Sequence, residues 1–178
     1  MNNYYDIDDI LADGQKVPCN FEITVPGLGY LQGHMDGDMK ENTKLELPLW
    51  MAELLAVSGV TPDSPNSFIS LLSPPPFGSK VLNALKSDPL NVDLKQQCSV
   101  YYLLAERWLS IFGDVELATI LMETLKKRAS LTYDYAHNSR GAQYESDFAA
   151  KLDEFERKMF KTAHDSAKDL RKWLVKRS

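Results

Sequence analysis

The hydrophobic pattern of the chain changes its period at one residue, Pro48. Before it, Leu45 and Leu47 alternate with charged residues, which is the period of two typical of a half-buried strand. After it, apolar residues recur at helical spacing, at Trp50, Met51, Leu54, Leu55 and Val57. Proline suits the first position of a helix because its missing N–H is not needed there. The pattern therefore predicts a strand that passes directly into a helix.

The residues before this junction predict a small sheet. Alternation over 19–25 and 30–33 indicates two strands joined by a turn, and 44–47 supplies a third. A sheet of this size needs a hydrophobic partner on its apolar face. We expect Trp50 to cover it, so that strand and helix form a stiff joint. The residues of this joint are Leu45, Leu47, Pro48, Trp50 and Leu54.

The remainder of the chain predicts helices. Apolar stripes recur at helical spacing, Gly113 ends one helix and Asp114 is placed to cap the next. The predicted helical segments are 68–72, 79–85, 94–112, 114–136 and 148–174. The sequence therefore predicts a mostly α chain with a small N-terminal β domain, an α+β fold in which a helical bundle follows a short antiparallel sheet. Residues 4–13, before the sheet, fit either a short helix or an extended arm.

Large apolar residues widen the predicted helical faces. Tyr102 and Phe160 lie beside the stripes of their helices and broaden them. Such a face can form the core of a bundle or an interface with protein partners, and the pattern leaves both open. The candidate residues are Tyr101, Tyr102, Trp108, Phe112, Leu121, Leu125, Phe155, Met159, Phe160 and Trp173.

A basic run occupies the end of the last predicted helix, at Lys168, Arg171, Lys172, Lys176 and Arg177. Cations at a helix C-terminus complement the helix dipole, which explains the run in structural terms. A role in nuclear import or nucleic-acid binding is the alternative.

The composition of the chain argues against several classes of protein. The 178 residues carry a net charge of −5, which argues against a general binder of polyanions. No apolar run approaches the length of a membrane span, and the acidic N-terminus lacks the features of a signal peptide. Cys19 and Cys98 lie far apart without a CxxC motif, which predicts two reduced thiols in an intracellular protein.

The sequence shows no recognisable catalytic constellation. His34, Asp36 and Asp38 could hold a cation, but nothing rigid frames them, which favours a hydrated loop. The acidic segment 6–9 lacks the remaining ligands of a calcium loop. Neither a phosphate-binding loop nor a dinucleotide fingerprint is present. We therefore expect no enzymatic activity, no metal and no cofactor.

Six segments, taken in order, resemble the third small subunit of the eukaryotic GINS complex, in its fungal form. They are YYDIDDILADG, VPGLGYL, NTKLELPLW, KSDPLNVDL, KLDEFERKMFKTAHDS and DLRKW. Each is a modest motif, but their order over about residues 4–173 makes the resemblance specific. The differences fall in loops at 33–41, 60–67 and 137–146.

The resemblance implies a GINS-like fold and a scaffold function. It implies a small β domain over 1–49 and a helical domain over 50–178, so that the strand-to-helix joint would lie between two domains. It also implies a non-catalytic subunit of a nuclear heterotetramer in DNA replication.

The partners that the resemblance implies are the three other GINS subunits, the MCM helicase ring and a RecJ-like helicase accessory factor. The leading-strand DNA polymerase would be reached indirectly, DNA only within the assembled helicase, and no membrane is involved. From the residues alone, two alternatives stay open: a stand-alone helical interaction or nucleic-acid-binding module, and an enzyme with a diffuse site.

Overall fold

The chain divides into two compact units, Met1–Pro75 and Pro76–Ser178. A computed structural model describes residues 5–33, 37–58, 67–137 and 148–177.

The first unit contains a three-stranded antiparallel sheet and two helices. Its elements are α1 (Ile7–Asp13), β1 (Lys16–Phe21), β2 (Lys44–Pro48), α2 (Leu49–Val57) and β3 (Ile69–Leu71). Strand β1 is central and pairs with β2 on one side and β3 on the other. β2 passes directly into α2, as the change of period at Pro48 predicts.

Alternation along β1 builds the core of this unit. Val17, Cys19 and Phe21 are buried on one face of the strand, while the intervening residues are half-buried. Val17 lies opposite Leu47 of β2, and Phe21 lies opposite Ile69 of β3. The three strands therefore contribute to a single apolar face, which α2 also contacts.

The strands differ from the predicted ones in extent and identity. The predicted strand 19–25 is β1, Lys16–Phe21, and the predicted strand 30–33 is part of a 3-10 turn, Gly29–Gln32. The N–H of Gly29 donates to the carbonyl of Gly37 at 2.7 Å, so the two backbone segments lie close together. A Cβ at residue 29 would lie 2.2 Å from that oxygen.

The predicted helical turn at 68–72 instead contains strand β3. A short apolar run is compatible with either a helix or a strand, and here its pairing with β1 makes it a strand.

The residues of α2 that face the sheet differ from those that the sequence predicts. Leu49 and Ala52 are buried, whereas Trp50 is 53% exposed and Leu54 is 62% exposed. Each residue turns a helix by about 100°, so once Leu49 points inward its neighbour Trp50 points sideways. The prediction that Trp50 covers the sheet is wrong.

The strand-to-helix joint does not separate the two units. The sheet includes β3, and α2 packs on that sheet, so residues 45–57 lie within the first unit. The compact units divide between Pro75 and Pro76, whereas the resemblance implies a boundary between residues 49 and 50. The boundary could not be read from the change of period because that change occurs inside one packed unit.

The second unit is a helical bundle. Its elements are α3 (Ser79–Ser87), α4 (Leu94–Gln97), α5 (Tyr101–Phe112), α6 (Val115–His137) and α7 (Glu154–Arg177). The long helices α6 and α7 pack against each other, and α3 and α5 both contact α6. The fold class, a mostly α chain with a small N-terminal antiparallel sheet, is confirmed.

The turn between α5 and α6 follows the predicted helix signals. Gly113 ends α5 in the left-handed conformation, with φ of 61°, and its N–H donates to the carbonyl of Leu109. Asp114 then caps α6, because its carboxylate accepts the N–H of Leu117 at 3.1 Å.

The last helix begins later than predicted. A helical turn at 148–150 is followed by a break, and α7 starts at Glu154. Asp153 makes the new start because its carboxylate accepts the N–H of Glu156 at 2.8 Å. The break changes the helical phase, so the predicted continuous stripe from Phe148 to Trp173 does not form one buried face.

Both cysteines, Cys19 and Cys98, are buried free thiols, and burial raises the pKa of each. Among the described helices, none is long and apolar enough to cross a membrane.

The junction after Pro48 yields a stability prediction. We expect Leu49→Ala to lower the free energy of unfolding by about 2–5 kcal/mol, because it opens a cavity at a buried position. Trp50→Ala should cost less than about 1 kcal/mol, because half of its side chain already faces solvent. Denaturant unfolding followed by circular dichroism measures both changes. A larger loss for Trp50→Ala than for Leu49→Ala would contradict the assignment of the buried face.

Candidate protein-interaction site

The first group of predicted site residues forms the core of the bundle. Tyr101 and Trp108 of α5 are buried, and Phe77 packs against both, with ring centroids 5.6 and 6.2 Å away. The hydroxyl of Tyr101 donates to the carbonyl of Pro76 at 3.3 Å. Leu121 of α6 is also buried. These side chains stabilise the bundle from inside and are not presented to a partner.

The remaining candidates reach the surface to different extents. Tyr102, Leu125, Met159 and Phe160 are half-buried. Phe112, Phe155 and Trp173 are exposed, by 48%, 42% and 51%. The structure therefore assigns some of the candidate residues to the core and others to the surface, a distinction that the sequence left open.

An ion pair that the sequence analysis missed lies at the centre of the bundle. The side chains of Arg128, on α6, and Glu156, on α7, are both 0% exposed. The guanidinium Nε donates to Oε1 at 2.6 Å and Nη2 donates to Oε2 at 2.8 Å, a bidentate geometry. Nη1 donates to the carbonyls of Pro89 and Val92, and Nη2 also to that of Lys151. One side chain thus joins α6, α7 and the loop between α3 and α4.

Tyr102 and Asp153 extend this network to the start of α5. The Tyr102 hydroxyl donates to Oε1 of Glu156 at 3.2 Å, and its backbone N–H donates to Asp153 at the same distance. Burial, together with the negative charge of Glu156, raises the pKa of Tyr102, so the phenol stays protonated and donates. In the described part of the chain, every buried side-chain nitrogen or oxygen has a hydrogen-bond partner.

The carboxyl group of Asp153 is perturbed by its surroundings. Burial raises its pKa to about 6, and the nearby charge of Glu156 acts in the same direction. The backbone N–H groups of Glu156 and Tyr102 donate to it and lower the pKa, but only in part. Asp153 therefore titrates where an ordinary aspartate is already ionised.

Two sequence signals could have revealed this network. Arg128 falls in line with the buried positions Leu121 and Thr124 of α6, where a charged residue requires a partner. Asp153 and Glu156 form a D-x-x-E pattern, which is a helix-start signal. Glu156 departs from the usual capping box because its carboxylate binds Arg128.

Exposed apolar side chains form several clusters on the described residues; one is Ile7, Ile10 and Leu11 of α1, and three others lie on longer helices. The α2 face consists of Trp50, Leu54 and Val57, spaced by four and three residues on one helix. The α5–α6 corner consists of Phe112, Val115 and Met122, beside a groove of about 530 Å³. The α7 end consists of Leu170, Trp173 and Leu174, each more than half exposed. Clustered apolar exposure of this kind is typical of protein-binding surfaces.

The predicted cation loop has one described residue. His34 and Asp36 lie outside the described residues, and Asp38 accepts the N–H of Gly27 at 3.0 Å. Among the residues that the structure describes, no cluster of histidine, cysteine and acidic side chains is suited to a metal ion.

Two family models match the chain, one in each unit. The model described as the PSF3 N-terminal domain matches residues 5–57, and the model described as the GINS complex protein helical bundle domain matches residues 77–175. The second match begins close to the division between the two units at Pro75 and Pro76.

Full-length relatives agree with these matches. The chain is similar to a protein of Debaryomyces hansenii, with 49% identity over 97% of this chain and 98% of the relative. It is also similar to proteins of Saccharomyces cerevisiae, at 40% identity over 98% and 99%, and Schizosaccharomyces pombe, at 40% over 96% of each. All three relatives are named DNA replication complex GINS protein PSF3. The chain belongs to the PSF3 family of GINS proteins.

Membership of the PSF3 family confirms the resemblance drawn from the six sequence segments. The names of these relatives describe components of a replication complex and state no catalytic activity.

The buried ion pair gives the first prediction for this site. Glu156→Gln should lower the free energy of unfolding by about 3–5 kcal/mol, since it leaves the buried guanidinium of Arg128 without a counter-charge. The matched control is Glu116→Gln, which breaks the exposed pair of Glu116 with Lys86. It should cost less than about 1 kcal/mol. Equal losses for the two variants in denaturant unfolding would show that the buried pair contributes no more to stability than the exposed pair does.

Asp153 gives a prediction about pH. Its pKa in the folded state, about 6, lies above the ordinary value of 3.8, so the folded state binds the proton more tightly. Its contribution to stability is complete below the ordinary value and is lost as the pH rises through about 6. Relative to Asp153→Asn, which keeps the helix cap, the wild type should lose about 1–3 kcal/mol between about pH 4 and pH 7.

Denaturant unfolding of the wild type and Asp153→Asn across this range measures the difference. A difference that stays constant with pH, or that grows in favour of the wild type as the pH rises, would contradict the raised pKa.

Proposed function

We propose that the chain is a non-catalytic scaffold subunit of a heterotetrameric GINS complex, which acts in the initiation and elongation of chromosomal DNA replication. In this proposal it assembles with three other GINS subunits in the nucleus. The tetramer joins the MCM ring and a RecJ-like accessory factor to form the active replicative helicase, and it reaches the leading-strand polymerase indirectly.

The proposal rests mainly on how much of the chain is similar to its relatives. Relatives named as GINS replication proteins match at 40% to 49% identity over nearly the whole of both chains. A shared helical bundle alone would support only a common fold, because folds host many functions. Similarity that includes the N-terminal unit as well supports a common assembly.

The exposed apolar faces supply the physical part of the proposal. The α2 face, the α5–α6 corner and the α7 end each present large side chains to solvent. Burial stabilises a complex by roughly 25 cal/mol per Å² of apolar surface, and a standard interface covers about 800 Å² on each partner. A subunit with several such faces gains from binding more than one neighbour, as a scaffold requires.

A second candidate function is a stand-alone helical interaction or nucleic-acid-binding module. The basic side chains at the end of α7 are the observation in its favour. The net charge of −5 weighs against a general affinity for nucleic acid. An isolated chain that binds duplex DNA at nanomolar concentration in physiological salt would favour this candidate.

Affinity purification of the tagged chain from its own cells, followed by quantitative mass spectrometry, tests the proposal most directly. We expect three further small subunits in amounts equal to that of the chain, with MCM and RecJ-like proteins in a smaller fraction. Recovery of the chain alone, or with unrelated proteins only, would contradict the scaffold function.

Co-expression gives a prediction about which faces assemble the complex. We expect the chain with its three sisters to form a soluble 1:1:1:1 tetramer and the chain alone to aggregate, because its apolar faces stay uncovered. Three variants carry aspartate at two positions each, one variant for each face. They are Trp50→Asp with Leu54→Asp, Phe112→Asp with Met122→Asp, and Trp173→Asp with Leu174→Asp.

At least one of these variants should lose the tetramer in size-exclusion chromatography while its helical circular dichroism persists. Glu106→Lys, an exposed charge change on α5, is the control and should assemble normally. Normal tetramers from all three variants would show that none of the faces forms a subunit interface.

A further inference from the structure

A basic groove runs between the end of α6 and the last turns of α7. It has a volume of about 690 Å³ and is open to solvent. Ala136 of α6 and Ala167 of α7 are its buried apolar lining residues, and Val175, 76% exposed, adds a larger apolar side chain farther along α7. Small side chains allow a third element to approach the two helices closely.

Four cations line the same groove: Lys168, Arg171, Lys172 and Lys176. Arg171 is held in place, because its Nη2 donates to the carbonyl of His137, the last residue of α6, at 2.6 Å. Between residues 168 and 176 the only acidic residue is Asp169, whose carboxylate accepts from Lys172 at 3.1 Å. The groove therefore has a net positive charge on a chain whose net charge is negative.

We infer that this groove docks an acidic amphipathic helix of a protein that binds the assembled complex reversibly. The helix would place apolar side chains against Ala136, Ala167 and Val175, and its acidic side chains beside the cations. A helix lying in a groove formed by two others is a common mode of peptide recognition. The inference rests on the proposed function in one respect only, that the chain works as part of an assembly.

The charges distinguish this surface from a permanent subunit interface. Permanent interfaces are more apolar than the rest of the surface, and lysine is depleted in them. The α6–α7 groove differs in its charge, since three lysines and one arginine line it, although the aliphatic stems of these side chains add to its apolar surface. Such a surface suits a partner that is attracted by charge and released as salt rises.

The apolar lining also favours a protein helix over nucleic acid. Phosphate groups would be attracted to the cations, but they gain nothing from Ala136, Ala167 and Val175. A helix with one acidic and one apolar face satisfies both kinds of residue.

The test uses the purified tetramer and three labelled probes. The first is a synthetic helical peptide with leucines at positions i, i+3, i+4 and i+7 and glutamates beside them. The second is a scrambled peptide of the same composition without an apolar face, and the third is a 20-base-pair duplex DNA. Fluorescence anisotropy should show the helical peptide binding at least tenfold more tightly than the scramble, with an affinity that falls as salt is raised.

Lys168→Glu combined with Lys176→Glu should weaken binding of the helical peptide at least tenfold and leave tetramer assembly intact. The matched control reverses two exposed charges on other helices of the same unit, Lys80→Glu on α3 with Lys95→Glu on α4, and should change the affinity less than twofold.

Equal binding of the two peptides, preferential binding of the DNA, or loss of the tetramer in the groove variant would each overturn the inference. A wild-type chain that forms no tetramer would count against the proposed function instead. The same titration on the soluble assembly that the tagged chain yields from its own cells would then decide the inference.

Discussion

The helical unit depends on a guanidinium that is removed from solvent. Burying a charge costs several kcal/mol, and this cost is offset only when the charge is paired and its donors are all used. Arg128 meets both conditions through Glu156 and the carbonyls of Pro89, Val92 and Lys151. Because these bonds have fixed directions, they admit one register of α6 against α7, whereas apolar contacts alone would tolerate several. We interpret the pair as the element that specifies how the bundle packs.

The register set by this pair also determines which side chains face outward. Glu156 points inward, and its neighbour Phe155, about 100° away around α7, is 42% exposed. The same orientation places Lys168 and Arg171 beside the end of α6. We therefore expect a change in this buried contact to alter the part of the α7 surface that lies beside it.

The sequence was sufficient for the elements whose signals are local. Pro48, Gly113 and Asp114 each act through their own backbone or the next turn, and the structure places helix boundaries at all three. The sequence was insufficient for features that depend on contacts between residues far apart in the chain. Strand β3 is set by pairing with β1, the inward direction of Leu49 by the sheet beneath it, and the burial of the Glu156 carboxylate by Arg128 on another helix. Among the candidate interface residues, an apolar pattern could not separate Trp108, which is buried, from Trp173, which is exposed, because both occupy stripe positions on their helices.

A double-mutant cycle on the buried pair tests this account most directly. Arg128→Met, Glu156→Leu and the double variant are compared with the wild type in denaturant unfolding. We expect the double variant to lose less stability than the two single variants combined, by about 2 kcal/mol or more, because each single change leaves an unpaired buried charge and the double change leaves none. Additive losses, with a coupling energy near zero, would show that Arg128 and Glu156 stabilise the bundle independently and do not specify its register as a pair.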